Sequence, residues 1–250
     1  MMKLITLAAG QGTRLRPLTD HVPKCMVEVN GRPILETQIE TAKKAQIDEM
    51  HVICGYCSDV IQYDFVTKHL NSEYDTTNMV YSLFSAEEIM DDNVIISYGD
   101  IIYQASVLEK LRDSKADISV VVDMEWKRYW EARMDNPLDD AETLKFHQDG
   151  TIAELGKKAS SLDEIQGQYV GLIKFSKEIL PQIRQFYNAL DKSKKYEGKS
   201  FEQMYMTTFL QLLADEVCPI SAVRIENGWI EVDEPGDLNH VNFYESGGAK

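Results

Sequence analysis

Gly10, Gly12, Arg14, Arg16 and Lys24 crowd one short segment of an otherwise acidic chain, Ala8-Ala9-Gly10-Gln11-Gly12-Thr13-Arg14-Leu15-Arg16-Pro17-Leu18-Thr19 and the Pro23-Lys24 step that follows. Glycine lets backbone N–H groups come close to a phosphate and takes the positive φ of a tight turn. Arginine adds planar forks that grip phosphate oxygens in pairs, and lysine adds a compact cation. Together they predict a cradle for a polyphosphate. Two carboxylates complete the chemistry. Asp100 follows the apolar run Val94-Ile95-Ile96-Ser97-Tyr98 and Gly99, and Asp233 closes Trp229-Ile230-Glu231-Val232. Magnesium favours one or two protein carboxylates plus substrate phosphate oxygens, so Mg2+ is expected at Asp100 and Asp233. The plainer alternative is that each aspartate caps the helix after it.

Elements that alternate strand and helix must position these groups. Residues 3–7 read as a buried strand running into the cradle, 50–54 as a strand ending at Gly55-Tyr56, and 94–98 as a strand ending at Gly99-Asp100. The spacing predicts helices over 34–45, 60–70, 85–90 and 106–114, and a strand over 79–84. Further on it predicts a strand at 118–122, a hairpin of 144–146 and 152–155 over Asp149-Gly150, and a strand at 168–175. Helices at 178–190 and 201–214, strands at 220–224 and 229–232, a helix at 238–244 and a frayed Gly-Gly-Ala-Lys end close the chain. This pattern implies an α/β protein with a mainly parallel sheet and helices on both faces. Ligands bind such sheets at the carboxyl ends of the strands, so residues 10–16, Gly55-Tyr56 and Gly99-Asp100 should meet along one edge. No linker splits the chain, and one domain over 1–250 is expected, with a nucleotide half at about 1–115 and an acceptor half at about 116–244.

The 250 residues carry a formal net charge of −15, which argues against nucleic-acid or anionic-membrane partners. A nucleotide needs only a local positive pocket. The apolar run in residues 1–10 is too short for a signal peptide, and arginines at 14 and 16 stand where cleavage should occur. A cytoplasmic protein is expected, and a homo-oligomer is compatible with this reading. Cys54-Gly-Tyr-Cys57 has the spacing of a redox motif or zinc half-site, but no second pair matches it, so the thiols are read as structural. The five histidines show no ligand spacing.

Trp126, Tyr129, Trp130 and Arg133 recur at i, i+3, i+4 and i+7, one face of a helix. Such a stripe either packs into the core or lines a pocket. Tyr169, Trp229 and Glu231, at strand ends near the same edge, would complete an aromatic box with a carboxylate, which holds quaternary ammonium groups.

Residues 7–19 with Pro23-Lys24 carry L-A-A-G-x-G-T-R-L-x-P-L-T followed by P-K, and so resemble the signature of the nucleoside-triphosphate transferases. The resemblance implies a Rossmann-like sheet of glycosyltransferase-A type and a Mg2+-dependent nucleotidyl transfer. By it, Arg14 and Lys24 would be catalytic. Leu7, Ala8, Ala9, Gly10, Gly12, Thr13, Gly55, Tyr56, Ser82 and Asp100 would hold the nucleotide, and Asp100 with Asp233 the metal. Glu231-Val232-Asp233 is similar to the E-x-D of bacterial phosphocholine cytidylyltransferases, where the glutamate faces choline. Tyr81-Ser82-Leu83, Trp126-Lys127-Arg128-Tyr129-Trp130 and Tyr169-Val170-Gly171 extend that likeness. The branch implies CTP and a small phosphorylated or phosphonate acceptor, held by Trp126, Tyr129, Trp130, Tyr169, Trp229 and Glu231. A sugar-1-phosphate nucleotidyltransferase and a non-catalytic nucleotide-binding subunit remain as alternatives.

Overall fold

The computed structural model describes residues 1–245; the Gly-Gly-Ala-Lys end expected to fray lies outside them. In chain order the elements are β1 (Met2–Ala8), β2 (Glu28–Val29), β3 (Arg32–Pro33), α1 (Ile34–Lys44), β4 (Glu49–Cys54), β5 (Val66–Leu70), α2 (Met79–Phe84), β6 (Asn93–Tyr98), β7 (Ile101–Tyr103) and α3 (Ala105–Asp113). They continue with β8 (Ile118–Asp123), α4 (Trp126–Arg133), β9 (Glu142–Phe146), β10 (Ile152–Lys158), β11 (Gln168–Phe175), α5 (Leu180–Ala189), α6 (Met206–Glu216), β12 (Ile220–Ile225), β13 (Trp229–Glu231) and α7 (Val241–Glu245).

Seven strands form the central sheet in the order β12-β8-β11-β6-β1-β4-β5. All neighbours run parallel except β11, which is antiparallel to both β6 and β8. This is the α/β, Rossmann-like arrangement expected. The strands are apolar on both sides because both faces are covered. Ile95 packs into one layer with α1, α3, α4 and α7, while Val94 and Ile96 pack into the other with α2, α5 and α6. Among the described residues no helix is long and apolar enough to cross a membrane.

Two local expectations are corrected. Residues 60–70 are not a helix: Val66–Leu70 forms β5, in parallel register with Met50–Cys54 of β4. Pairing the backbone of that outer strand outweighs the helical spacing. Residues 79–84 are a helix rather than a strand. Asn78 caps it, its side chain accepting from the Met79 N–H at 2.8 Å, and Val80, Leu83 and Phe84 turn to one buried face.

Outside the main sheet, β7 and β13 pair antiparallel, Glu231 opposite Ile101. The Val232 N–H continues the ladder to the Asp100 carbonyl at 2.9 Å. That short ribbon carries the end of β13 to the end of β6.

Candidate active site

β1 lies between β4 and β6, so three parallel strands end side by side. The Gly99 N–H donates to the Leu7 carbonyl at 2.9 Å and the Tyr56 N–H to the Ala9 carbonyl at 3.1 Å, drawing the three ends together as expected. Beyond β1 the chain turns through Gly12 at φ 63°. A Cβ on Gly12 would lie 3.0 Å from Cβ of Lys24, so the lysine passes against a backbone only glycine leaves bare. Thr19 closes the loop, its hydroxyl donating to the Gly12 carbonyl at 2.8 Å. Opposite, Gln38 on α1 donates its side-chain amide to the carbonyls of Tyr98 and Ile101, both at 2.7 Å. Those two bonds bracket Gly99-Asp100 and fix the corner that presents the aspartate.

The charged groups converge. Lys24 Nζ donates to Asp100 Oδ2 at 2.6 Å and to Asp233 Oδ1, while Arg14 Nη2 reaches Asp233 Oδ2 at 2.8 Å. Burial opposes charging Lys24, but the Asp100, Asp233 and Glu231 carboxyls outweigh it and hold the ammonium above its usual range. Burial likewise disfavours the Asp233 carboxylate. A hydrogen bond from Glu231, with Lys24 and Arg14, overcomes it and keeps Asp233 ionised well below the usual carboxylate range. Glu231 moves the other way, raised by burial and by Asp233 beside it. The two neighbouring carboxyls are thus pushed in opposite directions and titrate as a pair.

Around them opens a cleft of about 300 Å³. Leu7, Ala8, Ala9, Gly10, Gly12, Thr13, Arg14, Lys24, Ser82, Asp100 and Asp233, all candidates from the sequence, line it. Gly55 and Tyr56 do not. Gly55 backs onto Tyr74, and the Tyr56 hydroxyl donates to the Asp20 carbonyl at 2.8 Å, so both brace the cradle from behind. The far wall is not read from the sequence: Tyr74, Thr77 and Asn78 come from the segment before α2, and Met79 is the first residue of that helix. Asn71 organises that segment, donating to the Thr77 and Ser82 hydroxyls at 3.0 and 2.9 Å. The helix cap at Asn78 is the one signal that could have marked it.

A second cavity of about 190 Å³ adjoins the cleft, with Met79 and Tyr98 in the wall of both. Trp130, Tyr169 and Glu231 line it, together with Asp140, Glu142 and Gln168. The lining carries three carboxyl groups and neither Lys nor Arg. Glu142 stands exposed at the cavity rim, and partial desolvation there, with Asp140 and Glu197 nearby, pushes its carboxyl up to about 7. Trp126, Tyr129 and Trp229, also expected here, are corrected to core positions, 5%, 0% and 1% exposed. The polar tips of Trp229 and Tyr129 are taken within the fold. The Trp229 indole donates to Asp123 Oδ2 at 2.9 Å, and the Tyr129 hydroxyl bridges the Glu231 backbone. The stripe on α4 packs against β13; only Trp130 reaches the cavity.

The sequence and the fold have relatives among known proteins. The model of the MobA-like NTP transferase domain matches residues 4–201. The chain belongs to that family. Within the family it is 45% identical to a CTP:phosphoglutamine cytidylyltransferase of Campylobacter jejuni, over 95% of this chain and 98% of that protein. It is 36% identical to a choline-phosphate cytidylyltransferase of Streptococcus pneumoniae over 41% of this chain and 47% of that one. Among solved NTP transferases, the inositol-1-phosphate CTP transferase from T. maritima superposes with a TM-score of 0.74 at 20% identity, covering 100% of this chain and 98% of that one. That likeness shows the fold.

Proposed function

We propose that this NTP transferase moves a cytidylyl group from CTP to a small phosphorylated or phosphonate acceptor carrying an ammonium group, releasing pyrophosphate. The observation that carries the reading is the meeting of Lys24, Arg14, Asp100 and Asp233 at the mouth of one cleft, beside an acidic cavity. The 45% identity to a phosphoglutamine cytidylyltransferase supports CTP as donor and a phospho-compound as acceptor.

An anionic acceptor must approach an anionic triphosphate, so the barrier is largely electrostatic and fixed cations lower it without a protein nucleophile. Backbone from Ala8 to Thr13 holds the nucleotide, Arg14 binds its phosphates, and Lys24 bridges the α-phosphate and the acceptor phosphate. Trp130, Tyr169, Glu142 and Glu231 receive the acceptor's cationic end.

The site also fits Mg2+. Asp100 Oδ1 is buried without a hydrogen-bond partner, and the two carboxylates face each other across the Lys24 ammonium. Among the described residues no group of three His, Cys, Asp or Glu gathers as a metal cluster, which suits a cation that takes one or two protein carboxylates. Asp100 and Asp233 would hold it, and it would supply charge neutralisation at the phosphates.

Pyrophosphate release tests the reading, with each of four nucleoside triphosphates against phosphocholine, 2-aminoethylphosphonate, phosphoglutamine and glucose-1-phosphate. CTP with one of the first three is expected. Turnover confined to glucose-1-phosphate would replace this reading with a sugar nucleotidyltransferase.

A further inference from the structure

Arg133 ends α4 with its side chain 4% exposed, and it lines neither cavity. Its guanidinium is directed at Asp237, Nε donating to Oδ1 at 2.9 Å and Nη2 to Oδ2 at 3.3 Å, and Nη2 also lies 3.8 Å from Glu231 Oε1. Asp237 Oδ2 in turn accepts from the backbone N–H groups of Asp233 at 2.7 Å and Glu234 at 2.8 Å. The relay runs from guanidinium to carboxylate to the backbone of the residue that pairs with Lys24 and Arg14. One helical turn earlier, the Tyr129 hydroxyl accepts from the Glu231 N–H at 3.0 Å and donates to the Glu231 carbonyl at 3.1 Å. One helix thus grips the Glu231-Val232-Asp233 segment at both ends.

Stability accounts for part of this arrangement: Asp237 forms a capping box with Glu234, and the guanidinium lies over the Tyr129 and Trp130 rings at 5.1 and 5.4 Å. The ion pair itself is less easily explained so. A buried ion pair returns little net stability compared with well-packed apolar side chains. Here Arg133 Nη1 is also left buried without a hydrogen-bond partner, a penalty that a purely structural position tends to avoid. What the fork supplies is direction: two parallel contacts fix the plane of the Asp237 carboxylate. That plane sets the Asp233 amide, and with it where the Asp233 carboxylate points. We propose that Arg133 and Asp237 are positioning residues of the transfer reaction, aiming Asp233 at the phosphates without touching either substrate. The proposal rests on the reading that Asp233 takes part in the transfer.

The test compares the unmodified protein with Arg133→Met, Arg133→Lys and Asp237→Asn. In steady-state pyrophosphate release, Arg133→Met should lower kcat about 10- to 100-fold with the CTP KM within about threefold, because misplacement of Asp233 rather than lost nucleotide binding is at issue. Arg133→Lys should recover part of kcat, since an ammonium still reaches one Asp237 oxygen. Independently of activity, NMR amide exchange at Asp233 and Glu234 should quicken about tenfold in Arg133→Met relative to amides of β1, because their acceptor is freed. A kcat per folded molecule within threefold of the unmodified protein, or unchanged relative exchange at Asp233, would overturn the proposal. Absence of turnover in the unmodified protein would instead sink the transferase reading, and amide exchange would still decide whether Arg133 sets Asp233.

Discussion

Lys24 and Asp100 are 76 positions apart in the chain, yet the ammonium of one lies 2.6 Å from the carboxylate of the other. Asp233, 209 positions from Lys24, shares the same ammonium. One buried cation therefore joins the loop after β1, the corner after β6 and the end of β13. Removing it exposes two carboxylates to each other and deprives the phosphates of their bridge. Lys24→Ala should lower kcat by about 100- to 1000-fold, the size expected for one fixed charge-stabilising group. It should also destabilise the substrate-free protein by about 3 kcal/mol, as removal of one member of a buried ion pair does. Pyrophosphate release and denaturant melts check both. Near-normal turnover would take Lys24 out of the mechanism.

The two tryptophans of α4 should behave differently. Trp126 is core, and Trp126→Ala should cost about 3–5 kcal/mol of stability while leaving the acceptor KM of the folded fraction unchanged. Trp130 faces the second cavity and donates to Asp140 Oδ2 at 3.0 Å. Trp130→Ala should raise the acceptor KM more than the CTP KM. Equal effects on the two KM values would mean that the second cavity is not the acceptor's.

Glu142 should make acceptor binding depend on pH. Its carboxyl, pushed up to about 7, is neutral below that pH and negative above it. A cationic head group is then held more tightly as pH rises from 6 to 8, so the acceptor KM should fall over that range. Glu142→Gln fixes the group neutral and should flatten the trend. The acceptor phosphate titrates near pH 6 in both proteins, so the difference between the two profiles is the readout. Identical profiles would remove Glu142 from acceptor recognition.

Gly171 sits at φ 83° in β11, where the register with β8 slips between Tyr169 and Ile173. A Cβ there would lie 2.8 Å from the Tyr98 ring. Because Tyr98 walls both cavities, Gly171→Ala should raise both KM values and cost about 1–3 kcal/mol in backbone strain. A drop in melting temperature with both KM values intact would show that Tyr98 is not a shared wall.

Much of the nucleotide side of the site is legible in the chain, because it is local. Gly10, Gly12, Arg14 and Lys24 lie within one loop, and the apolar runs that end at Ala8 and Tyr98 announce strands whose carboxyl ends meet. The segment before α2 was illegible for the converse reason. Tyr74, Thr77 and Asn78 have no periodicity, and tertiary contacts fold them against the cleft: Asn71 to the Thr77 and Ser82 hydroxyls, the Asn78 N–H to the Glu202 carbonyl, and Tyr74 beside Tyr56.

The sequence by itself determined which groups could carry the chemistry: cations in a glycine turn, aspartates after apolar strands, and aromatics spaced along one face of α4. Only the tertiary structure decided which of them share a cavity. Spacing gives a side chain's face on its own element, whereas its neighbours depend on how elements pack. The β7–β13 ribbon brought Asp233 to Asp100, and the packing of α4 on β13 turned Trp126 and Tyr129 inward while leaving Trp130 at the cavity wall.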